Sequence, residues 1–160
     1  MGDEDSKIMK NYVYMSLISN KDFALKYLRD NGLLLTNKQL RFLGPHYLFK
    51  NTLKELMLYN VVLLVADEKI DFLIGDRPII RKMYGDDYIF PFHPKMAIYL
   101  YILENEDNKF ILNMLNGDIS YIDYQIVDSI NRATYKNSEN IVVSTTENAE
   151  YLNRILNEDK

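Results

Sequence analysis

The sequence predicts an α+β fold: N-terminal helices packed on an antiparallel or mixed sheet of about five strands, with two C-terminal helices. Three observations carry this. Apolar residues recur at helical spacing up to about residue 60, and β-branched and aromatic runs replace them beyond it. Hydrophobic residues make up 48% of the 160 and charged ones 26%, a balance that supports a packed core without disulfides or metal. Capping boxes and Gly or Pro punctuation divide the chain into short segments, with no repeat and no linker. The chain therefore reads as one domain, residues 1–160, with a helical part over 7–59 and a sheet plus two helices over 60–160.

The first helix is expected over 7–19, with Ser6 as its cap and Ile8, Tyr12, Met15 and Ile18 as its apolar stripe. Ser19 to Asp22 opens a second helix that ends at Asn31-Gly32, since glycine accepts the left-handed conformation after a last turn. Thr36 to Gln39 is a capping box for a short helix that stops at Gly44-Pro45. A fourth helix covers 46–59, burying Leu48, Phe49, Leu53, Leu56 and Met57.

Beyond it the period shortens. Val61–Ala66 is a buried-strand run, Asp67–Lys69 a turn, and Ile70–Ile74 is expected to pair back as a hairpin. Gly75-Asp76-Arg77-Pro78 is punctuation, because Pro78 drives Arg77 to extended geometry and Asp76 suits an Asx turn. Ile79-Ile80 resumes an extended path, and Met83–Asp87 reads as a polar, mobile loop. The two prolines in Phe90–Pro94 exclude a helix there. Residues 95–104 and 109–115 read as a second hairpin, and Asn116-Gly117-Asp118 breaks the sheet. Ser120 to Asp123 caps a helix through about Tyr135 with Ile122, Ile126, Val127, Ile130 and Ala133 on its face. Asn140–Thr145 is a last strand, placed to join the sheet in parallel through a right-handed crossover. Ser144 to Glu147 then caps a terminal helix with Leu152, Ile155 and Leu156 inward.

Composition excludes several chemistries. There is no cysteine, hence no thiolate metal site and no cysteine nucleophile. The longest apolar run, Val61–Ala66, is far below the ~20 residues of a membrane span. An acidic N-terminus is the opposite of a secretory leader, so a cytoplasmic protein is expected. A net charge of -4 argues against a surface that wraps nucleic acid. The richness in Asn, Lys, Ile and Tyr fits an AT-rich bacterial or phage genome. No glycine-rich phosphate loop, His-x-x-x-His, calcium loop or Gly-x-Ser-x-Gly is present, and no cofactor is expected.

Four short patterns carry a family resemblance: Phe72 to Pro78 after a hairpin, Phe90 to Pro94 before a strand, Val127 to Asn131 in a helix, and Ile141 to Ser144 in a strand. Over roughly residues 46–160 the chain resembles the C-terminal part of the bacterial domain-of-unknown-function family numbered four-two-three-eight. Gly75 stands where that family prefers serine, Arg77 where it prefers asparagine, and Phe92-His93 where it has Leu-Ser. The family's N-terminal His-Tyr-x-Pro signature is absent, as in a shortened member or a partial resemblance. The resemblance implies a fold and no activity.

Asp76 is the first candidate for chemistry. A carboxylate at a strand end can act as a general base or hold a cation, or it can accept backbone N–H groups in an Asx turn. Arg77 can clasp an anion with its bidentate fork, cover the sheet edge, or pair with Asp86 or Asp87. His93, one of two histidines, is a candidate acid–base group or a partly buried packing group. His46 reads as a cap or surface residue. Asn131 beside Ile130 needs hydrogen-bond partners, and is expected to touch Asp76 and order the 75–78 turn. Asp67, Glu68 and Asp71 read as solvated turn residues, as do Glu104, Glu106 and Asp107. Ser144 and Thr145 read as a strand end and a helix cap.

Two functions are expected from this. The first is a non-catalytic binding or interaction module that meets a protein partner, or a second copy, through tyrosine-rich faces. The 13 tyrosines include Tyr99 and Tyr101 on one strand face and Tyr121 and Tyr124 at a helix start. The second is a small hydrolase-like enzyme built on Asp76, His93 and Asn131, with Arg77 holding an anion.

Overall fold

The computed structural model describes residues 2–19, 54–102, 115–140 and 142–158. The helices expected to begin near Asp22 and Thr36, His46 and most of the 46–59 helix lie outside these residues. So do Glu104, Glu106, Asp107 and nearly all of the 109–115 strand. The chain divides into two compact units, Met1–Tyr59 and Asn60–Lys160.

In the first unit, helix α1 runs Asp3–Ser19 and starts earlier than expected. Asp3, Glu4 and Asp5 fill its first turn, where negative charge complements the helix dipole. The Ser6 amide donates to the Gly2 carbonyl at 3.1 Å, so Ser6 lies inside the helix and does not cap it. The buried residues are Lys10, Val13 and Tyr14, whereas Ile8, Tyr12 and Met15 are exposed. The helix is apolar on two sides, and its i, i+4, i+7 stripe is the outer one. Burial lowers the pKa of Lys10, whose ammonium donates to the Met57 carbonyl at 3.0 Å.

The second unit is α+β. Its strands are β1 (Asn60–Ala66), β2 (Ile74–Gly75), β3 (Ile80–Arg81), β4 (Asp87–His93), β5 (Met96–Tyr101), β6 (Ile119–Ile122) and β7 (Val142–Val143). Two helices, α2 (Tyr124–Asn137) and α3 (Ala149–Glu158), close the chain, with a short 3-10 turn at Thr146–Asn148 ahead of α3. The main sheet is mixed and has the order β3-β4-β5-β1-β6, while β2 and β7 form a separate two-stranded sheet.

β1 is the hub. β5 pairs with it antiparallel, from Asn60↔Tyr101 to Val65↔Met96, and β6 pairs parallel, from Leu63↔Ile119 to Ala66↔Ile122. Both edges of β1 are thus occupied, and the expected hairpin with 70–74 does not form. Residues 67–73 instead leave the sheet through a turn from the Asp67 carbonyl to the Ile70 amide, 3.3 Å. The Phe72 amide then donates to the Pro94 carbonyl at 2.7 Å. The second hairpin is also differently placed. β5 pairs with β4 and β1, so it has no free edge over 96–101 for residues 109–115. The hairpin is β4–β5, turning at Pro94-Lys95. Pro91 is accommodated within β4 at a register shift, as a residue without a ladder N–H requires.

The parallel partner in the sheet is β6, not the last strand; β7 pairs antiparallel with β2. Ser120 sits inside β6, and the N-cap of α2 is Asp123, whose carboxylate accepts the Ile126 amide at 3.0 Å. Val62, Leu64 and Ala66 alternate inward from β1 to meet Ile122, Ile126, Val127 and Ile130, with Phe72 and Leu73 beside them. Burying each such large side chain contributes about 1.5–3 kcal/mol. Tyr151 and Ile155 bring α3 to this core, whereas Leu156 is exposed. Among the described residues no helix is long and apolar enough to cross a membrane.

Candidate functional site

The C-terminal end of α2 and the β2–β3 connection are built into one another. Ser138 ends the helix by donating its amide (3.0 Å) and its hydroxyl (2.8 Å) to the Thr134 carbonyl. Gly75 lies against it: a Cβ at that position would overlap Ser138 Oγ. Asn137 Nδ2 donates to the carbonyls of Arg77 at 2.8 Å and Ile79 at 3.1 Å. Asp76 accepts the Glu139 amide on Oδ1 and the Asn140 amide on Oδ2, both at 2.9 Å. Arg77 pairs with Glu139 at 2.7 Å rather than with Asp86 or Asp87. Asp76 is therefore a bracket across the two-stranded sheet: its two oxygens accept from backbone groups far along the chain.

The loop so held lines a cleft of about 530 Å³, a volume suited to a side chain or small ligand. Val142, Leu152 and Leu156 supply apolar lining, and Tyr135 an aromatic ring. Lys136, Ser138, Glu139 and Asn140 supply the polar lining. Val143 and Leu156 are exposed, at 56% and 39%.

Asn131 works elsewhere. It is fully buried on α2, where its Oδ1 accepts the Leu73 amide and its Nδ2 donates to the Asp71 carbonyl, both at 2.8 Å. The expected contact with Asp76 is not made, because Asn137, nearly two turns on, is the residue that reaches the 75–78 turn. Asn148 Nδ2 adds a bond to the Asp71 carbonyl at 3.3 Å.

Asp71 is buried at 7% exposure, the opposite of a solvated turn residue. One oxygen pairs with Lys95 Nζ at 2.7 Å and the other accepts the Thr145 hydroxyl at 2.5 Å. Burial pushes the carboxyl up, but the bonds from Lys95 and Thr145 outweigh it and hold the pKa below its usual value. Lys95 Nζ also donates to the carbonyls of Asp67 (3.1 Å), Glu68 (3.1 Å) and Ile70 (2.9 Å). The ammonium thus sits in a cage of three carbonyls and a carboxylate, with its protons engaged, and its work is to hold the 67–71 turn. His93 is exposed at the end of β4, and its Nδ1 accepts the Lys95 amide at 3.1 Å. Thr145 caps the 3-10 turn from its backbone while its side chain serves Asp71.

A second buried carboxylate organises the loop read as polar and mobile. Asp87 is 1% exposed and accepts the amides of Met83 (2.9 Å) and Tyr84 (3.0 Å) and the hydroxyl of Tyr99 (3.0 Å). Burial raises its pKa against the pull of those three donors. Burial and the Asp87 charge raise that of Tyr99 in turn. Tyr99 is fully buried and stacks on half-buried Tyr101, centroids 5.3 Å apart, so it offers no interaction face. Tyr121 is 80% exposed and Tyr124 sits at the rim. Tyr124 accepts from Arg154 at 2.7 Å.

The sequence-derived candidates therefore fall into two groups. Asp76 and Arg77 hold the cleft loop, while Asn131 and His93 belong to the surroundings of Asp71 and Lys95. Asp71, Lys95, Asp87, Asn137 and Asn148 were missed. Asp71 had a readable signal: it stands among Ile70, Phe72 and Leu73, where a carboxylate cannot reach water while its neighbours are buried. Among the described residues no group of three or more His, Asp or Glu is placed to hold a metal ion. No protein-family model, no curated protein and no solved structure matches the chain.

Proposed function

We propose that the chain is a non-catalytic binding module that takes an apolar side chain of a protein partner into the cleft lined by α2, β7 and α3. The observation that carries this reading is the cleft itself, whose aliphatic lining of Val142, Leu152 and Leu156 reaches the surface at exposed Leu156. Exposed aliphatic surface beside a preformed depression suits a side chain delivered by another protein. Arg77 neutralises Glu139 at the rim, which lowers the cost of covering that carboxylate. The module would work in the cytoplasm, in a bacterial or phage setting, as a relative of the four-two-three-eight family.

The alternative is a hydrolase built on Asp76, His93 and Asn131. It is disfavoured by what these groups already do. Both oxygens of Asp76 and both ends of the Asn131 carboxamide already serve backbone partners that hold the fold, and His93 Nδ1 accepts the Lys95 amide.

Photo-crosslinking separates the two readings. A photoreactive phenylalanine analogue is placed at Leu156, on the cleft wall, and, as a control, at exposed Glu68. A protein captured from Leu156 alone, and lost with Leu152→Glu, supports the binding module. Turnover of an ester, phosphate or glycoside substrate that Asp76→Asn or His93→Ala abolishes without unfolding establishes the hydrolase instead.

A further inference from the structure

We propose that the Asn116–Gly117 turn is a site of spontaneous covalent modification, deamidation to aspartate and isoaspartate, that loosens β6 from β1. Both residues are exposed. Gly117 has φ +80°, and nothing lies within 4 Å of where its Cβ would be. The residue after Asn116 thus has no side chain to shield its nitrogen. The turn is held through other atoms: the Asn116 amide donates to Ser120 Oγ at 2.8 Å, and the Ser120 hydroxyl contacts the Gly117 carbonyl at 3.4 Å. Neither bond engages the Gly117 nitrogen or the Asn116 carboxamide, the two reacting groups.

The chemistry closes with solvent water as co-reactant. The Gly117 nitrogen attacks Cγ of Asn116 and an N–C bond closes a five-membered imide. The Cγ–Nδ2 bond breaks, and ammonia leaves with the proton from the Gly117 nitrogen. Water adds to one of the two imide carbonyls and the ring opens, to aspartate or to isoaspartate. No atom changes oxidation state. The carboxamides of Asn131, Asn137 and Asn148 each donate to a backbone carbonyl.

The position gives the reaction a structural consequence. The Leu63 amide donates to the Asp118 carbonyl at 2.9 Å, and Leu63 faces Ile119 at the start of the parallel pairing. Isoaspartate inserts an extra carbon into the main chain immediately before these contacts and adds a negative charge beside Asp118. β6 is a four-residue strand at the end of the main sheet's order, so it has few other bonds to hold its register.

The test incubates the full chain in mildly alkaline buffer at physiological temperature, with peptide mass spectrometry and isoaspartyl methyltransferase labelling over time. The expected result is that Asn116 gains the mass of an NH2-to-OH exchange ahead of Asn137 and Asn140. The signal at that peptide disappears in Asn116→Gln, whose larger ring closes poorly. In the modified fraction the Leu63 amide exchanges hydrogen faster than in the fresh protein. Asn31-Gly32, the chain's other such pair, lies outside the described residues, and its peptide is scored separately. An unchanged Asn116, or equal rates at Asn137, overturns the site. Modification with Leu63 protection intact overturns its effect on β6.

Discussion

Ser138 Oγ occupies the space that a side chain on Gly75 would fill. Two segments far apart in sequence approach so closely there that glycine is required for want of room, with no special backbone angle involved. Gly75→Ala is expected to destabilise the second unit by roughly 1–3 kcal/mol through overpacking. Gly75→Ala combined with Ser138→Gly should recover part of that loss. A double-mutant cycle by urea unfolding measures the coupling, and strictly additive single effects would show that the two residues do not compete for space.

Asp76→Ala removes the acceptor for two backbone amides and leaves the 138–140 loop without its bracket. Bonds to a charged acceptor suggest a loss of about 1–3 kcal/mol, discounted toward the lower end because Asp76 is exposed. Hydrogen exchange should rise selectively at the Glu139 and Asn140 amides. Unchanged protection there would contradict the bracket.

Asn131→Leu leaves the buried Leu73 amide without an acceptor, while the Asp71 carbonyl keeps Asn148. Each orphaned buried group costs roughly 1–3 kcal/mol. The substitution should therefore lower the midpoint of unfolding despite adding apolar surface. A midpoint at or above wild type would mean that water replaces the carboxamide.

The two buried carboxylates give opposite pH signatures. Asp71 binds its proton more weakly folded than unfolded, so its contribution is present above the unfolded pKa and is lost as pH falls through the lowered folded value. Asp87 binds its proton more tightly when folded. Its carboxyl therefore disfavours the fold as pH rises from the ordinary aspartate value through the raised one. Urea melts across mildly acidic pH should show the Asp87 slope in wild type and a flatter one in Asp87→Asn. In Lys95→Met the acid-side loss due to Asp71 should shrink, because the folded pKa moves back up toward the unfolded one.

Local signals carried much of this architecture. A strand over Val61–Ala66 follows from its apolar run, a helix through about Tyr135 from its apolar face, and the two prolines exclude a helix over 90–94. What was not legible is choice of partner. A run such as Ile70–Ile74 is equally apolar whether it pairs with β1 or packs across it, and the deciding fact is that β5 and β6 occupy both edges of β1. The α1 face is another case: Lys10 is buried by its long stem and a carbonyl partner, which no periodicity reveals. In the site, Asp76 and Arg77 stood out because they interrupt a strand. Asn137 and Lys95 did not, because their significance lies in carbonyls brought near by the fold.

The arrangement around β1 also sets an order of assembly. β4 and β5 are joined by a two-residue turn, so their pairing closes a short loop at small entropic cost. β1 meets β6 only after the long intervening chain has returned, and a parallel pairing cannot begin from a turn. The β4–β5 hairpin is therefore the natural nucleus, and docking of β6 with α2 the late, slow step. Substitutions at Ile89 or Ala97 should slow refolding, whereas those at Ile122 should chiefly speed unfolding.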